Sequence, residues 1–439
     1  MNNLIRTKRF KELLDIIKNY SDKSIAIYGT GNHTNLLLNF IDAYRSKILC
    51  LLDRKINKKR LYDFDIYLLE NIPKDVKVII ISSDVYQEEI YERIKFLIDK
   101  GIKIIKIYNK EDFFNDYDYY IKCNNEETKN YIESDDKLKY RELCKKERTI
   151  PIFSKDWWMD AVCGKNNWDV IIIEKSGIIV GSLPYYVKKI SEFKIISQPM
   201  LTQTNGIWIK YPPNQQYYKK LFYEKKIMNE IIYKLKQLKI NYFEQGFHYS
   251  IINWLPFYWN DFKQTTRYTY VIESLADLEK VFSGFSNAKI KNIKKAEKIV
   301  DINYDLSSEE FYDLHKKILQ EKNDRISYPY ELFKKIYDEC YNHKSGKCIY
   351  AEDKNGNIHA AIFIIWDEIS AYYLISAIDS SFANSGSSSL LIKSAIEYVF
   401  DKTQKFDFEG SMIESVENSF RQFNTVQKPY FFITKKFID

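Results

Sequence analysis

One order of predicted elements occurs twice in the last two thirds of the chain, and it constrains the fold more than any other feature. Apolar alternation on both sides of the turn at 175–177 predicts a β-hairpin, and the pattern over 217–244 predicts a helix and then a strand. The same order of hairpin, helix and strand recurs over 348–409. This repeat predicts two related α+β modules in tandem, covering 151–270 and 271–439.

The first 110 residues show a different pattern, in which short apolar runs alternate with helical segments. The runs predicted as strands are 24–28, 48–52, 76–81 and 102–108. Strands that alternate with helices at this spacing indicate a parallel sheet with crossover helices. We therefore predict a Rossmann-like α/β domain over 1–110 and a polar connector over 111–150. The fold class of the whole chain is then α/β and α+β.

A glycine-rich turn follows the first of these strands. Gly29 and Gly31 precede a helix whose bare amide groups suit a phosphate, and Asp53 ends the next strand, where its carboxylate can bind a ribose. Thr34 stands where a third glycine or an alanine is usual. The pattern favours a nucleotide or nucleotide-sugar site made of Gly29, Gly31, His33 and Asp53. The alternative is a domain used for packing or oligomerisation, in which His33 is a turn or cap residue.

Small residues precede the predicted helix at 390–402. They are Ser385, Gly386, Ser387, Ser388 and Ser389. Accessible amide groups at a helix N-terminus can hold the pyrophosphate of an acyl carrier, and serines are equally suited to cap an ordinary helix. We take these five residues as candidates for acyl-donor binding, with an ordinary helix start as the alternative.

Two carboxylates lie at the end of the predicted strand 405–409. Alternation places Asp407 and Glu409 on one face of this strand and two phenylalanines on the other. Such a pair can supply a general base whose pKa is tuned by its neighbour. The alternative is a solvated edge or a structural ion pair. Asp407 and Glu409 are the candidate catalytic residues.

Polar residues in two other segments are candidates for substrate binding. Lys289 and Lys291 belong to a lysine-rich stretch in which most lysines fit the wet face of a helix, while some could contact phosphate. Gln203 and Thr204 lie in an unusually polar segment between apolar strands. That segment either lines a substrate groove or forms a plain loop.

Composition excludes several other classes of protein. No apolar run approaches the roughly 18 residues that cross a bilayer, and the N-terminus lacks the apolar region of a signal peptide, so we expect a cytoplasmic protein. Six cysteines and five histidines show no zinc-ligand spacing, so no metal is expected. The net charge of +7 is compatible with an anionic small substrate or with tRNA and requires neither.

Several strings in the C-terminal two thirds resemble the Fem-type acyltransferases, a peptidoglycan-bridge-like group within the GCN5-related N-acyltransferase (GNAT) superfamily. They are IPIFSKDWWMDAV, LPYYVKK, LTQTNG, KIKNIKKAEK, ANSGSSSLLIKSAI and FDFEGSMIESVENSFRQF followed by PYF. The resemblance implies two tandem GNAT-like folds and the transfer of an acyl group to an amine. It also implies that Ser385–Ser389 sit where the superfamily's pyrophosphate loop meets its helix.

The same resemblance leaves the acyl donor open between two classes. The superfamily usually has a glycine-rich loop at this place, whereas here only Gly386 remains, so both acyl-CoA and aminoacyl-tRNA stay open as donors. Residues 1–110 resemble the small α/β domains at the start of sugar-nucleotide acyltransferases. In those domains the positions of Gly29, Gly31 and Asp53 would line the nucleotide.

We therefore expect a bacterial N-acyltransferase that moves an acyl group from acyl-CoA to an amine of a sugar nucleotide, a cell-envelope precursor or a surface glycan. Glu409, favoured over Asp407, would take the proton of the attacking amine, and backbone amides would stabilise the oxyanion. The first alternative is an aminoacyl-tRNA-dependent aminoacyltransferase of the Fem type. The second is a non-catalytic module that binds a nucleotide sugar or a partner.

Overall fold

The computed structural model describes residues 3–55, 59–84, 86–109, 112, 119–120, 131–190, 192–322, 324–410 and 412–437. The chain divides into two compact units, Met1–Asn115 and Asp116–Asp439, close to the predicted boundary at 110. Most of the predicted connector before residue 131 lies outside the described residues.

The first unit is built on one largely parallel sheet. Its elements in chain order are α1 (Asn3–Ile17), β1 (Ile25–Tyr28), α2 (Asn32–Phe40), β2 (Ile48–Leu52), β3 (Arg60–Leu61), β4 (Phe64–Tyr67), β5 (Val78–Ile81), α3 (Gln87–Ile94) and β6 (Lys103–Lys106). The strand order is β3-β4-β2-β1-β5-β6, and only β3 pairs antiparallel within it. Every residue of β1 and β5 is buried, which explains why both strands are continuous apolar runs rather than alternating ones.

The parallel sheet predicted for the first unit is thus present, with one difference in its helices. The segment predicted as a single helix over 87–100 divides into α3 and a 3₁₀ helix, Lys95–Lys100. The 3₁₀ helix ends at Gly101, whose φ of +84° is a left-handed conformation that glycine adopts without strain.

The second unit contains twelve strands and ten helices among its described residues. The first half has α4 (Asp135–Lys146), α5 (Asp156–Cys163), β7 (Trp168–Lys175), β8 (Ile178–Ile190), β9 (Phe193–Ser197), β10 (Trp208–Ile209), α6 (Tyr217–Gln237), β11 (Tyr242–Gly246), α7 (Leu255–Tyr258) and β12 (Lys263–Ile272). The second half has α8 (Leu278–Ser283), α9 (Asn287–Ala296), β13 (Val300–Tyr304), α10 (Ser308–Glu321), α11 (Tyr330–Asn342), β14 (Gly346–Asp353), β15 (Ile358–Trp366), β16 (Ser370–Ile378), α12 (Ser387–Val399), β17 (Lys405–Asp407), α13 (Glu414–Phe420) and β18 (Val426–Lys436).

All twelve strands form one sheet whose centre is made from both halves of the sequence. The order is β10-β8-β9-β11-β18-β12-β17-β16-β15-β14-β13, and β7 pairs with β8. The last strand, β18, therefore lies between β11 and β12 and is antiparallel to both. Strand β12, which belongs to the first half of the sequence, pairs antiparallel with β17 of the second half. The predicted module boundary at 270 consequently falls inside β12.

Each half also contains one parallel strand pair joined by a long helix. In the first half β9 pairs parallel with β11 and α6 connects them, and in the second half β16 pairs parallel with β17 through α12. The order of hairpin, helix and strand predicted from the sequence is therefore present twice. Five strands of this unit were not predicted, namely β9, β10, β12, β13 and β18. Residues predicted as one helix over 290–300 divide between α9 and β13.

The largest buried cluster takes side chains from both halves of the second unit. Trp168 and Ile172 on β7 belong to the same cluster as Phe363 on β15 and Phe333 on α11. On β15, successive residues face opposite layers, since Phe363 packs toward α11 while Ile362 belongs to the cluster around α12. The two halves thus bury one another's apolar surface.

A buried carboxylate also ties the halves together. Asp367 lies in the turn before β16 and is 8% exposed. Its Oδ2 accepts a hydrogen bond from the Ile152 N–H at 2.9 Å, and its Oδ1 accepts from the Ser370 N–H at 2.9 Å. A side chain with this many backbone donors fixes the approach to α5 relative to the start of β16.

Helix α9 packs directly onto the turn that precedes α12. Gly386 has a φ of +84°, and a Cβ at this position would overlap the carbonyl oxygen of Asn292 on α9. The Lys295 ammonium donates a hydrogen bond to the carbonyl of Asn384 at 2.5 Å. Glycine is therefore needed at 386 for close approach as well as for conformation.

We expect the Gly386→Ala substitution to destabilise the second unit by roughly 2–4 kcal/mol, because it combines a left-handed φ with overpacking against α9. Gly356→Ala is the matched control: its φ is +80°, but its Cβ would meet nothing closer than Glu352 Oε1 at 3.9 Å. The control should lose about 1 kcal/mol. Urea unfolding of both variants measures the difference, and equal losses would contradict the contact with α9.

Candidate active site at the end of strand β17

Strand β17 separates from its neighbour β16 at the residues singled out by the sequence. The two strands pair only from Ser370–Lys405 to Tyr372–Asp407. Beyond Asp407 the chain turns toward β12, where the Phe408 N–H donates to the Tyr270 carbonyl at 2.9 Å. Strand β16 continues to Ile378, so its last residues have no strand partner on the β17 side within the described chain.

Strand β16 carries a β-bulge beside this opening. Phe363 pairs with Ile375 and Ile364 pairs with Tyr373, which leaves Leu374 as the extra residue. A bulge of this kind bends the strand and redirects its backbone groups. The opening between β16 and β17 therefore offers main-chain amides that the ladder does not use.

The turn after Asp407 has a strained backbone. Glu409 has a φ of +58° and Gly410 a φ of +66°. A Cβ at 410 would overlap the Tyr268 carbonyl oxygen, so the turn is pressed against β12. A left-handed glutamate costs roughly 1–2 kcal/mol and persists only where the surrounding structure fixes it, a condition common at functional sites.

Asp407 is completely buried and has one satisfied oxygen. Its Oδ1 accepts hydrogen bonds from the Thr269 hydroxyl and from the Glu409 N–H, the latter at 2.8 Å. Its Oδ2 is buried without a hydrogen-bond partner among the described residues. Burial raises the pKa of Asp407 to about 7, against the partial opposition of these hydrogen bonds.

Glu409 is partly buried. Its Oε1 is buried without a hydrogen-bond partner in the described part of the chain. Burial, and then the neighbouring charge of Asp407, raises the pKa of Glu409 well above its usual value. The two carboxyl groups therefore titrate as a coupled pair whose pKa values are both raised, an arrangement in which a proton can be accepted or donated.

The polar segment before β10 reaches this turn, although it lies about 200 residues away in sequence. The Gln203 side-chain amide donates a hydrogen bond to the main-chain carbonyl of Glu409. Thr204, only 3% exposed, lies beside it in the interior. The segment is held by Gln198, which accepts from the Gly246 N–H at 2.8 Å and donates to the Thr202 carbonyl at 2.8 Å. The structure thus brings Gln203 and Glu409 together and keeps Thr204 in the core.

The serine-rich turn lies at the far end of β16, where it is covered. Ser385, Ser387 and Ser389 are 8%, 2% and 1% exposed, Gly386 is buried and Ser388 is partly buried. The Ser385 hydroxyl accepts from the Ser387 N–H at 3.2 Å and donates to its hydroxyl. Because α9 lies over this turn, its role in donor binding stays a prediction.

The two candidate lysines on α9 have different surroundings. The Lys289 ammonium donates to the Ser419 hydroxyl at 2.8 Å and lies 4.5 Å from the centre of the Phe423 ring, and burial lowers its pKa. Lys291 is exposed. Lys289 therefore links α9 to α13, and Lys291 is the one of the two that solvent reaches freely.

The candidate nucleotide residues of the first unit point to two different places. The Thr30 hydroxyl donates to Asp53, which also accepts from the Arg54 N–H at 2.6 Å. These residues line a 610 Å³ cavity together with Lys55, Leu61, Tyr62 and Ile66. A Cβ on Gly29 would lie 2.9 Å from the Ser82 carbonyl, so this glycine is needed for packing against β5. Gly31 is exposed, with open space around it.

His33 belongs to a separate network. Its Nδ1 lies 2.9 Å from the Ser82 hydroxyl and its Nε2 lies 2.6 Å from the Tyr108 hydroxyl. Burial lowers the pKa of His33 to about 4, so the ring is neutral at pH 7. The structure therefore associates His33 with the ends of β5 and β6, while Asp53 contacts Thr30.

Sequence reasoning missed several residues around the carboxylates. Thr269 on β12 binds Asp407, and Tyr430 on β18 has a pKa raised by burial and further by Glu409 and Asp407. The Arg267 guanidinium lies 4.0 Å from the centre of the Phe432 ring. These residues were missed because the sequence analysis did not predict the strands that carry them, β12 and β18. The alternation of Thr265, Arg267 and Thr269 is the pattern that could have revealed β12.

A cavity of 510 Å³ is lined by Lys405, which lies two residues before Asp407. Its lining includes Trp208 and Tyr249 from the first half of the unit, and Ser370, Tyr372 and Lys405 from the second. The Ser370 hydroxyl is buried without a hydrogen-bond partner among the described residues. The cavity is thus formed by both halves and combines aromatic rings with unused polar groups, as ligand sites commonly do.

Two further properties concern the described residues only. They contain no group of three or more His, Cys, Asp or Glu side chains arranged to hold a metal ion. None of their helices combines the length and apolarity that crossing a bilayer requires.

Comparison with known proteins shows similarity in structure but not in sequence. No model of a known protein family matches the chain, and no curated protein does. The crystal structure of FemX superposes with a TM-score of 0.53 at 11% identity, covering 69% of this chain and 96% of FemX. L-PGS from Bacillus licheniformis gives a TM-score of 0.41 at 9% identity, covering 69% and 93% of the two chains. A GCN5-related N-acetyltransferase from Kribbella flavida gives 0.29 at 9% identity, covering 64% and 63%.

The likeness to FemX establishes the type of fold. The chain has a FemX-like fold over about two thirds of its length, as the resemblance of its sequence to Fem-type proteins predicted. At these identities the likeness concerns the fold, and the chemistry depends on the site described above.

The raised pKa of Asp407 predicts a dependence of stability on pH. A carboxyl with a pKa of about 7 in the folded state and about 4 unfolded binds more protons when folded, so its contribution to stability falls as pH rises from 4 to 7. We expect Asp407→Asn to remove this loss. Between pH 5 and pH 8 the free energy of unfolding of the wild type should then fall by about 2 kcal/mol more than that of the variant. Urea unfolding at both pH values measures this difference, and parallel curves would contradict a raised pKa.

Proposed function

We propose that the second unit is an acyl- or aminoacyltransferase of the Fem/GNAT type whose acceptor is an amine. The observation that carries the proposal is the buried Asp407 and the partly buried Glu409, both with raised pKa values, at the place where β17 parts from β16. The Fem/GNAT-like fold supports it. The exchange of β12 and β18 further supports two GNAT-like modules in tandem, each completed by a strand of the other.

The reaction is a direct attack. The amine nitrogen forms a bond with the carbonyl carbon of the donor, and the amine proton passes to the Glu409 carboxylate. The carbonyl oxygen becomes an oxyanion, which main-chain amides of the bulge around Leu374 would stabilise. The intermediate then collapses with cleavage of the bond to the leaving thiolate or tRNA hydroxyl, which takes up a proton. Asp407 tunes the base, and Gln203 holds the main chain of Glu409 in place.

The acceptor would enter through the 510 Å³ cavity. Trp208 and Tyr249 offer aromatic faces that suit a sugar ring, and Lys405 offers a cation for an anionic group. This composition supports an amine on a sugar nucleotide, a cell-envelope precursor or a surface glycan. Lys405, at the start of β17, lines the cavity, whereas Asp407 and Glu409 do not, so an acceptor bound there would have to extend along β17 for its amine to reach Glu409.

The structure constrains the identity of the acyl donor less than that of the acceptor. Acyl-CoA binding at Ser385–Ser389 would require α9 to move, or contact through the partly exposed Ser388. Aminoacyl-tRNA would need a cationic surface, for which Lys291 is exposed. The two donors differ in salt dependence, because a tRNA complex releases counterions and weakens steeply as salt increases.

We expect Glu409→Gln to lower kcat by roughly 10²–10⁴-fold with little change in the melting temperature, because it removes the proton acceptor and keeps the shape. Turnover is measured with a panel of acyl-CoA and aminoacyl-tRNA donors and with amino-sugar nucleotides as acceptors. The exposed Glu368, in the turn before β16, gives the matched control Glu368→Gln, which should retain wild-type activity. Full activity of Glu409→Gln would exclude Glu409 as the base.

The coupling between Asp407 and Glu409 predicts how kcat/KM depends on pH. The Asp407 charge raises the pKa of Glu409, so Asp407→Asn should shift the rising limb of kcat/KM toward lower pH. A purely structural role for Asp407 would lower activity without moving that limb. The absence of turnover with every donor would instead favour the non-catalytic binding module.

The first unit is proposed to bind a nucleotide or nucleotide sugar in its 610 Å³ cavity. Asp53 would accept ribose hydroxyls, while Arg54 and Lys55 lie beside it for phosphate. We expect Asp53→Asn to weaken binding of a uridine diphosphate sugar about tenfold in calorimetric titrations, since a charged acceptor is lost. Asp75→Asn, at an exposed site of the same unit, is the control. Equal affinities in both variants would contradict the site.

A further inference from the structure

Helix α6 and the short segment around α7 carry a group of exposed aromatic and aliphatic side chains that the transfer chemistry does not use. The group, called here the aromatic face, consists of Tyr218, Phe222, Tyr233, Leu255, Tyr258 and Trp259. Phe222 is 71% exposed, Tyr233 is 67% exposed and Trp259 is 55% exposed. Single exposed rings are common on proteins, but six in two adjacent elements call for a partner.

The aromatic face follows from helical geometry. Tyr218, Phe222 and Tyr233 are spaced so that they share one side of α6. The opposite side of the same helix buries Ile227 and Ile231 against the sheet. Helix α6 therefore has two apolar sides, of which only one is explained by the core.

Side-chain contacts join the two elements into one surface. The Lys225 ammonium on α6 lies 4.9 Å from the centre of the Trp259 ring. The Lys236 ammonium donates to Asn260 Oδ1 at 2.8 Å. The rings of α6 and those of the α7 segment thus lie on neighbouring parts of the same side of the unit.

Cationic side chains surround the aromatic face. Exposed lysines on or beside it are Lys219, Lys225, Lys226, Lys236 and Lys263. They outnumber the acidic residues close to them in the chain, Glu224, Glu230 and Asp261. No arginine occurs from residue 217 to residue 266. The surface is therefore aromatic and basic, with lysine as its only fully charged cation.

We propose that the aromatic face docks the protein on the surface of a membrane that contains anionic lipid headgroups. Tryptophan and tyrosine are the side chains that favour the boundary between headgroups and acyl chains, and lysines around an apolar helix face are attracted to anionic lipid. The solvent side of a helix fits a flat interface. Single-stranded nucleic acids, by contrast, are bound in a basic groove that follows the phosphates.

This docking is independent of the transfer activity, so each can fail without the other. The experiment uses the full chain and sedimentation with two kinds of vesicle, one of equal parts phosphatidylglycerol and phosphatidylcholine, the other of phosphatidylcholine alone. We expect the partition coefficient to be at least about tenfold higher for the anionic vesicles and to fall as salt increases.

Two double variants separate the apolar and the charged contributions. Phe222→Ser with Trp259→Ser should lower the partition coefficient about tenfold or more, and Lys225→Glu with Lys226→Glu should do the same on anionic vesicles only. The matched controls are Phe400→Ser, an exposed ring at the end of α12, and Lys316→Glu with Lys317→Glu, an exposed lysine pair on α10. Both controls should bind as wild type does.

Three results would overturn the proposal. The first is equal, negligible sedimentation with both kinds of vesicle. The second is a homodimer in solution that the Phe222 and Trp259 variants dissociate. The third is tight binding of a single-stranded RNA, lost in the same variants, without vesicle binding. All variants lie on exposed positions, so unchanged melting temperatures verify that each remains folded.

Discussion

The antiparallel ladder between β12 and β18 is the constraint on which the second unit depends. It pairs residues 263–271 with 434–426 and places the last strand of the chain in the middle of the sheet. Because β18 also pairs with β11, and β12 with β17, neither half has a complete sheet of its own. The two halves must therefore fold as one body, which agrees with a buried cluster that draws side chains from both.

The same ladder creates the candidate active site. Strand β12 supplies Thr269 to Asp407 and receives the main chain of Phe408, so it draws β17 away from β16. Asp407 is then buried and Glu409 partly buried, in surroundings that disfavour a charge on either carboxyl group. Their raised pKa values are a direct consequence of this position, as is the strained backbone at Glu409. The pairing of β12 thus accounts both for the separation of β17 from β16 and for the raised pKa values of the two carboxyl groups.

Much of the architecture could be predicted from the sequence, because hydrophobic period is a local property. Buried strands such as β5 and amphipathic helices such as α10 lie close to their predicted positions. Strands β12 and β18 were missed because they alternate irregularly between tyrosine, threonine and lysine. Burial of the serine turn could not be predicted, because it depends on the approach of Asn292 from α9, about 90 residues earlier in the chain.

The sequence by itself predicted that Asp407 and Glu409 lie together at the end of a strand, that serines lie at the start of a helix, and that the order of hairpin, helix and strand occurs twice. In the structure the strand ends at Asp407, so Glu409 follows it in a left-handed turn instead of sharing its face, and the helix begins at Ser387 instead of 390. Each of these predictions depends on neighbours within a few residues, which local geometry fixes. Only the tertiary structure decided that Gln203 meets Glu409, that α9 covers Ser387, and that His33 and Asp53 contact different groups. Those relations join residues that are 23 to 206 positions apart through strand pairing and close packing, and neither leaves a periodic signal in the chain.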